Sequence, residues 1–187
     1  MHKASENSIP RREFLSRTAL ALAGVATGPA LYYAFWRNDE RDPAYLSEHQ
    51  WQNLQAVQNT IFPSEPDSPG AADINAAGFF QWVLRDPEFD PEEKEYYVKG
   101  LDWLAETATE VGVSAFYEAE PQTKVKIITT AIDQGWGENW LAAMLTIIFE
   151  ALLSDPIYGG NPNGIGWKWL AHYPGSPRPD TGSRYGG

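Results

Sequence analysis

Residues Glu138–Leu153 read E-N-W-L-A-A-M-L-T-I-I-F-E-A-L-L, and no arrangement of them leaves a polar face. Trp140, Leu141, Met144, Leu145, Ile147, Ile148, Phe149, Leu152 and Leu153 fall on every side of a helix with 3.6 residues per turn. Such a helix cannot lie on a protein surface with one side in water. It sits at the centre of other helices or is buried against a partner. That one segment demands a fold built around it.

The rest of the body supplies the helices. Leu46-Ser47-Glu48-His49-Gln50-Trp51 is a helix start: Ser47 caps, Gln50 holds the reciprocal capping-box position, and Leu46 with Trp51 forms a hydrophobic staple. Trp51, Leu54, Val57 and Ile61 then recur at helical spacing until Pro63. Residues 64–70 (S-E-P-D-S-P-G) have loop composition. A short helix is predicted over Asn75–Arg85, with Phe79, Phe80 and Val83 on one face and Asp86-Pro87 as its stop. Asp90-Pro91 opens another, with Glu92 and Glu93 in the first turn, Tyr97, Leu101, Leu104, Ala108 and Val111 as its stripe, and Gly112 as its end. Pro121 opens a fourth, with Val125, Ile128 and Ile132 as its buried face and Gly135 beyond it. No useful stretch shows the period-two alternation of a strand. The expected fold is all-α: a small bundle of about five helices, followed by an irregular segment rich in Gly, Pro and aromatics that is expected to pack on the bundle as ordered loop until about Pro179.

Ahead of the body stands a different kind of sequence. Residues 9–17 read I-P-R-R-E-F-L-S-R, and Thr18–Trp36 contains no charge. A basic flank before an apolar run marks an export signal or a membrane anchor. Arg11-Arg12 followed by Phe14-Leu15 resembles the twin-arginine motif that the bacterial translocase reads on folded cargo. Ala19, Ala21, Ala23, Gly24, Ala26, Thr27 and Gly28 make the run only moderately apolar, which suits that pathway. A plain transmembrane anchor is the alternative, since the run is near the ~20 residues that span a bilayer and Tyr32, Tyr33, Phe35 and Trp36 would form its aromatic belt. Both readings place the body outside the cytoplasm, in the periplasm. Cleavage frees it; an uncleaved leader holds it at the inner membrane. The resulting divisions are 1–36 signal or anchor, 37–45 linker, 46–179 helical domain and 180–187 flexible tail.

Composition narrows the chemistry. There is no cysteine, which excludes disulfides, thiolate catalysis, zinc–sulfur and iron–sulfur sites and covalently attached haem. The net charge of −11 falls entirely on the body, because Lys3, Arg11, Arg12 and Arg17 outnumber Glu6 and Glu13 in the leader. So acidic a surface repels phosphate backbones, and nucleic acid is not an expected partner. The three histidines are scattered, and no H-E-x-x-H, G-x-S-x-G or C-x-x-C occurs. Glu92, Glu93 and Glu95 at a helix start read as a solvated face on the helix dipole. Gly159, Gly160, Gly164 and Gly166 follow a helix, whereas a phosphate cradle follows a strand, so they read as a tight structural loop. Trp136, Trp140, Trp167 and Trp169 would stack sugars, fill a core or anchor an interface, and with one small domain and several all-apolar helix faces the interface is the expected use. Catalytic, cofactor and metal residues are therefore expected to be none in this chain.

Two motifs bring a family into view: Thr60-Ile61-Phe62-Pro63 with Pro69-Gly70-Ala71-Ala72, and Asp155-Pro156-Ile157-Tyr158-Gly159-Gly160-Asn161 with Gly164-Ile165-Gly166-Trp167 and Tyr173-Pro174-Gly175. With the leader, they resemble the gluconate 2-dehydrogenase subunit 3 family across about Leu46–Pro179. The resemblance implies a non-catalytic small subunit that escorts and stabilises a large FAD-dependent dehydrogenase of the glucose-methanol-choline (GMC) type. It also implies a multihaem cytochrome c subunit as electron acceptor and the twin-arginine translocase as export partner. FAD and haem c are then expected in the partners. Tyr158, Gly159, Gly160, Asn161, Gly164, Gly166 and Trp167 form the loop of interest, in which Tyr158 and Trp167 anchor a turn held by Asn161, against either this bundle or the large subunit. The other reading of the chain is a stand-alone periplasmic carbohydrate-binding module that uses the Trp-rich tail.

Overall fold

The computed structural model describes residues 45–180. Among them there is no strand, only an isolated antiparallel bridge between Glu65 and Ser68. Five main helices run in order: α1 Glu48–Ile61, α2 Ala76–Arg85, α3 Pro91–Glu110, α4 Pro121–Asp133 and α5 Gly137–Leu153. A sixth, α6 Ile165–Trp169, is short, and single 3₁₀ turns lie at Phe116–Glu118, Pro156–Tyr158 and Pro162–Gly164. The twin-arginine segment with Arg11, Arg12, Phe14 and Leu15, the apolar run to Trp36 and the tail from residue 181 lie outside the described residues. No helix among the described residues is long and apolar enough to cross a membrane.

Local chemistry sets the helix starts. The Ser47 hydroxyl accepts from the Gln50 N–H at 3.3 Å, while the Gln50 carboxamide oxygen accepts from the Ser47 N–H at 3.0 Å, so α1 begins with a full capping box. Asp90 accepts from the Glu92 N–H at 2.7 Å, and Pro91 occupies the first helical position of α3. Leu46 is buried and Trp51 packs on the core at the head of α1.

The apolar α5 is the central helix. It packs against α1, α2, α3, α4 and α6, and Trp140, Leu141, Met144, Leu145, Ile147, Ile148, Ala151 and Leu152 are all buried. Trp140 is wholly enclosed. Its indole N–H donates to the Tyr97 carbonyl at 3.2 Å, and its ring lies so close to Gly100 that a Cβ there would stand 1.9 Å from Nε1. The missing side chain on α3 is thus the slot that admits the tryptophan.

The orientation of α4 departs from the expected one. Ile127, Ile128 and Ala131 face the core, whereas Val125 is 55% exposed and Ile132 39%. The expected stripe of Val125, Ile128 and Ile132 lies about 100° around the helix from the true one, a single residue's step. Two apolar stripes on one short helix left the choice between them to tertiary packing. The C-terminal segment departs too. It contains α6, and from Lys168 to Asp180 it is mostly exposed instead of packed on the bundle throughout.

Candidate functional site

The residues that follow α5 fold into a clasp over its last turn. Ser154 leaves the helix in an extended conformation, and Asp155 accepts from the Ile157 N–H at 3.1 Å to start the 3₁₀ turn Pro156–Tyr158. Gly159 then takes φ = +90°, a conformation that strains a side-chain-bearing residue, and reverses the chain. Gly160 is buried beside Ser154 and the Ala151 backbone. Asn161 is fully enclosed and left-handed, at φ = +48°.

Asn161 organises everything around it. Its backbone N–H donates to the Ile74 carbonyl at 2.9 Å, and its own carbonyl accepts from the Gly164 N–H at 2.9 Å. Its Nδ2 donates to the Ser154 carbonyl at 3.0 Å, and its Oδ1 accepts from the Gly166 N–H at 2.7 Å. One side chain therefore ties the end of α5 to the start of α6. The Trp167 indole, buried, donates to the Leu153 carbonyl at 2.8 Å. Carbonyls in the last turn of a helix have no partner within it. Here Asn161 and Trp167 bind those of Ser154 and Leu153. Gly164 is buried under the Trp167 ring, and Gly166 lies flat on α5, where an added Cβ would stand 2.2 Å from the Leu152 carbonyl oxygen.

The clasp also reaches the other motif. Asn75, left-handed at φ = +53° just before α2, donates from Nδ2 to the Gly159 carbonyl at 2.7 Å. With the Asn161–Ile74 bond, this joins the loop after α1 to the loop after α5. The first loop is itself braced. Asp73 accepts from the Ser64 hydroxyl and from the Gly70 N–H at 2.8 Å, and Asn59 accepts from the Ala72 N–H at 3.1 Å. The Ser64 bond, and after it the Gly70 N–H, hold the Asp73 carboxyl below the usual aspartate range against a small opposing effect of burial.

On the outer side, Arg178 grips Asp155 with two bonds, Nε to Oδ2 at 2.9 Å and a second nitrogen to Oδ1 at 3.1 Å. Its guanidinium carbon lies 4.9 Å from the centre of the Trp167 ring. Tyr158 is half-buried, its ring 5.7 Å from that of Trp82 on α2. Both large residues of the loop thus pack on this chain's own bundle.

Sequence reasoning placed Tyr158, Gly159, Gly160, Asn161, Gly164, Gly166 and Trp167 in one loop, and the structure brings them together. It missed Asn75, Ile74 and Arg178, whose partners stand 84, 87 and 23 residues away. The Asn preceding a helix was the one available hint, because asparagine tolerates the left-handed region. The four tryptophans Trp136, Trp140, Trp167 and Trp169 share no surface. Trp140 is enclosed and Trp136 packs on it at 6.0 Å near the start of α5, while Trp167 sits at the other end, about 25 Å along the helix axis.

Among the described residues, Tyr97 on α3 is the most perturbed titratable group. Burial pushes its phenol far above the ordinary range, and the charges of Glu150 and Glu93 add to the effect. The hydroxyl donates to the Ala143 carbonyl at 3.4 Å. Among the described residues, no group of three or more His, Cys, Asp or Glu is placed to hold a metal ion. The clasp is made of amides, carbonyls, an indole and one carboxylate–guanidinium pair. Such groups fix the course of the chain around the end of α5.

Comparison with known families gives a match to Gluconate 2-dehydrogenase subunit 3 over residues 48–175. No curated protein and no solved structure matches. The matched span runs from the first turn of α1 through α6 and includes both braced loops.

Proposed function

This chain belongs to the gluconate 2-dehydrogenase subunit 3 family, and we propose that within its dehydrogenase complex it is the non-catalytic escort and stabilising subunit. Its partner on this reading is an FAD-dependent GMC-type subunit that oxidises gluconate or a related sugar or polyol and passes electrons to a multihaem cytochrome c. Arg11-Arg12 serve as the twin-arginine address for both chains, and the complex works in the periplasm. The physical rationale lies in the flavin. FAD is inserted in the cytoplasm into a folded protein, so a dehydrogenase lacking its own signal must cross already folded beside a chain that carries one.

The observation that carries the reading is the family match across nearly the whole described domain, together with what the motif residues do there. Asn161, Gly166 and Trp167 are engaged in holding the end of α5. The most distinctive residues of the chain serve the rigidity of a surface.

Affinity purification of the full-length chain from its native membrane fraction, with an absorbance scan, tests the proposal. A flavoprotein and a haem protein should co-purify, and the chain produced alone should be colourless. Recovery of the chain without a flavoprotein, or a stoichiometric flavin spectrum from the chain alone, overturns it. Arg11→Lys with Arg12→Lys should leave both chains in the cytoplasm, because the pair is read by a receptor and not used for folding.

A further inference from the structure

The acidic character of the domain stops at the clasp. Residues 45–155 contain 19 Asp and Glu against 5 Lys and Arg, whereas residues 156–180 contain 1 against 2. In that second stretch stand three large apolar side chains open to solvent: Tyr173 at 78%, Leu170 at 45% and Trp169 at 37%. Leu153, whose carbonyl takes the Trp167 indole, adds a fourth at 48%.

These side chains are presented on an ordered frame. Helix α6 turns Gly166 and Trp167 inward and leaves Lys168 and Trp169 outward. The Leu170 N–H donates to the Gly166 carbonyl at 3.0 Å and the His172 N–H to the Trp167 carbonyl at 2.8 Å. Apolar surface left in water forgoes about 25 cal/mol for each Å² that burial would remove. A fold that fixes such residues outward through a buried asparagine, an indole bond and an ion pair has them pre-set for contact, with little ordering left to do on binding.

We propose that Leu153, Trp169, Leu170 and Tyr173 form the surface on which the dehydrogenase subunit docks, seated on this face by apolar contact with carboxylates opposite Lys168. The proposal rests on the escort reading. Charge decides the occupant's chemistry. A basic partner would be drawn to the acidic helices, while a partner with an apolar, acid-rimmed patch is repelled by them and admitted here, which also fixes its orientation.

The test titrates the full-length chain against the flavoprotein subunit recovered in the purification above. Leu170→Ser with Tyr173→Ser should raise Kd at least tenfold, since buried apolar anchors dominate interface energy, while helicity and melting temperature stay at wild-type values. Lys168→Glu should slow association, and the slowing should shrink as added salt screens the new repulsion. Val125→Ser with Ile132→Ser, on the exposed side of α4, should leave Kd unchanged. Wild-type affinity in the Leu170/Tyr173 variant overturns the proposal and leaves the escort reading standing, as does an equal loss in the α4 variant. Self-association of the chain that disappears in the Leu170/Tyr173 variant assigns the face to a second copy and also overturns it. A wild-type chain that binds no flavoprotein at all defeats the escort reading first.

Discussion

Helix α5 and the clasp that follows it lie one residue apart and are held by opposite means. Between Trp140 and Leu152 the helix is fixed by apolar contact around most of its circumference, leaving a half-buried stripe at Ala142, Ala143, Thr146 and Glu150, with single polar bonds such as that from the Trp140 indole to Tyr97. From Asp155 to Arg178 the chain is fixed by directed hydrogen bonds on Asn161, Trp167 and Asp155, with little apolar cover beyond Trp167. Apolar packing is graded: a lost methylene costs in proportion to its size. A buried hydrogen-bond network is not graded, because one exchanged atom leaves donors or acceptors unpaired in a low-dielectric site. The two regions should therefore answer the same size of insult very differently.

The largest effect is expected in the helix. Trp140→Ala removes the largest fully buried side chain and should cost about 3–5 kcal/mol in denaturant unfolding. Next comes the clasp, through a change of almost no volume. Asn161→Asp keeps the acceptor for the Gly166 N–H but turns an oxygen towards the Ser154 carbonyl, and should cost about 3 kcal/mol. Ile148→Val deletes one whole methylene from the wholly buried side of α5 and should cost only about 0.5–1.5 kcal/mol. If the Asn161 and Ile148 variants lose equal stability by the same assay, the contrast between the two regions is false.

The smallest effect sharpens the comparison through pH. Asp73 binds Ser64 and Gly70 as a carboxylate, so its folded pKa lies below its unfolded value of about 3.9. A group lowered in this way adds stability above the unfolded value, and that stability is lost as pH falls towards the folded one. Asp73→Asn should melt slightly earlier than the wild type at pH 7, and the gap should close below about pH 4. A gap that does not narrow at all as pH falls below about 4 would mean that Asp73 contributes by shape, not by charge.

What could be read from the sequence was whatever local chemistry decides. Ser47 with Gln50, and Asp90 with Pro91, mark helix starts because each cap bonds within three residues. The central place of α5 was legible because a helix with no polar face has few places to go. The facing of α4 was not, since Val125 and Ile132 form as good a stripe as Ile127 and Ala131 and only the neighbouring helices choose between them. Helix α6 escaped because five residues containing a glycine show no periodicity. In the clasp, Asn161 was recognisable as a turn-holding residue. That Trp167 folds back onto Leu153, and that Asn75 reaches Gly159, depend on contacts no local pattern encodes.

The bonds from Asn75 to Gly159 and from Asn161 to Ile74 have a consequence for the order of events during synthesis. Each joins a loop made early to a loop made late, with four helices, α2 to α5, between them. Chains emerge at about 5–20 residues per second, so the loop before α2 waits several seconds for its partner. Until Asn161 leaves the ribosome, α5 has an unsealed end and the early loop is held by its own local bonds, among them those of Asp73 and Asn59. Contacts so distant in sequence close late and slowly. The clasp therefore cannot close until all five main helices of the domain have been made.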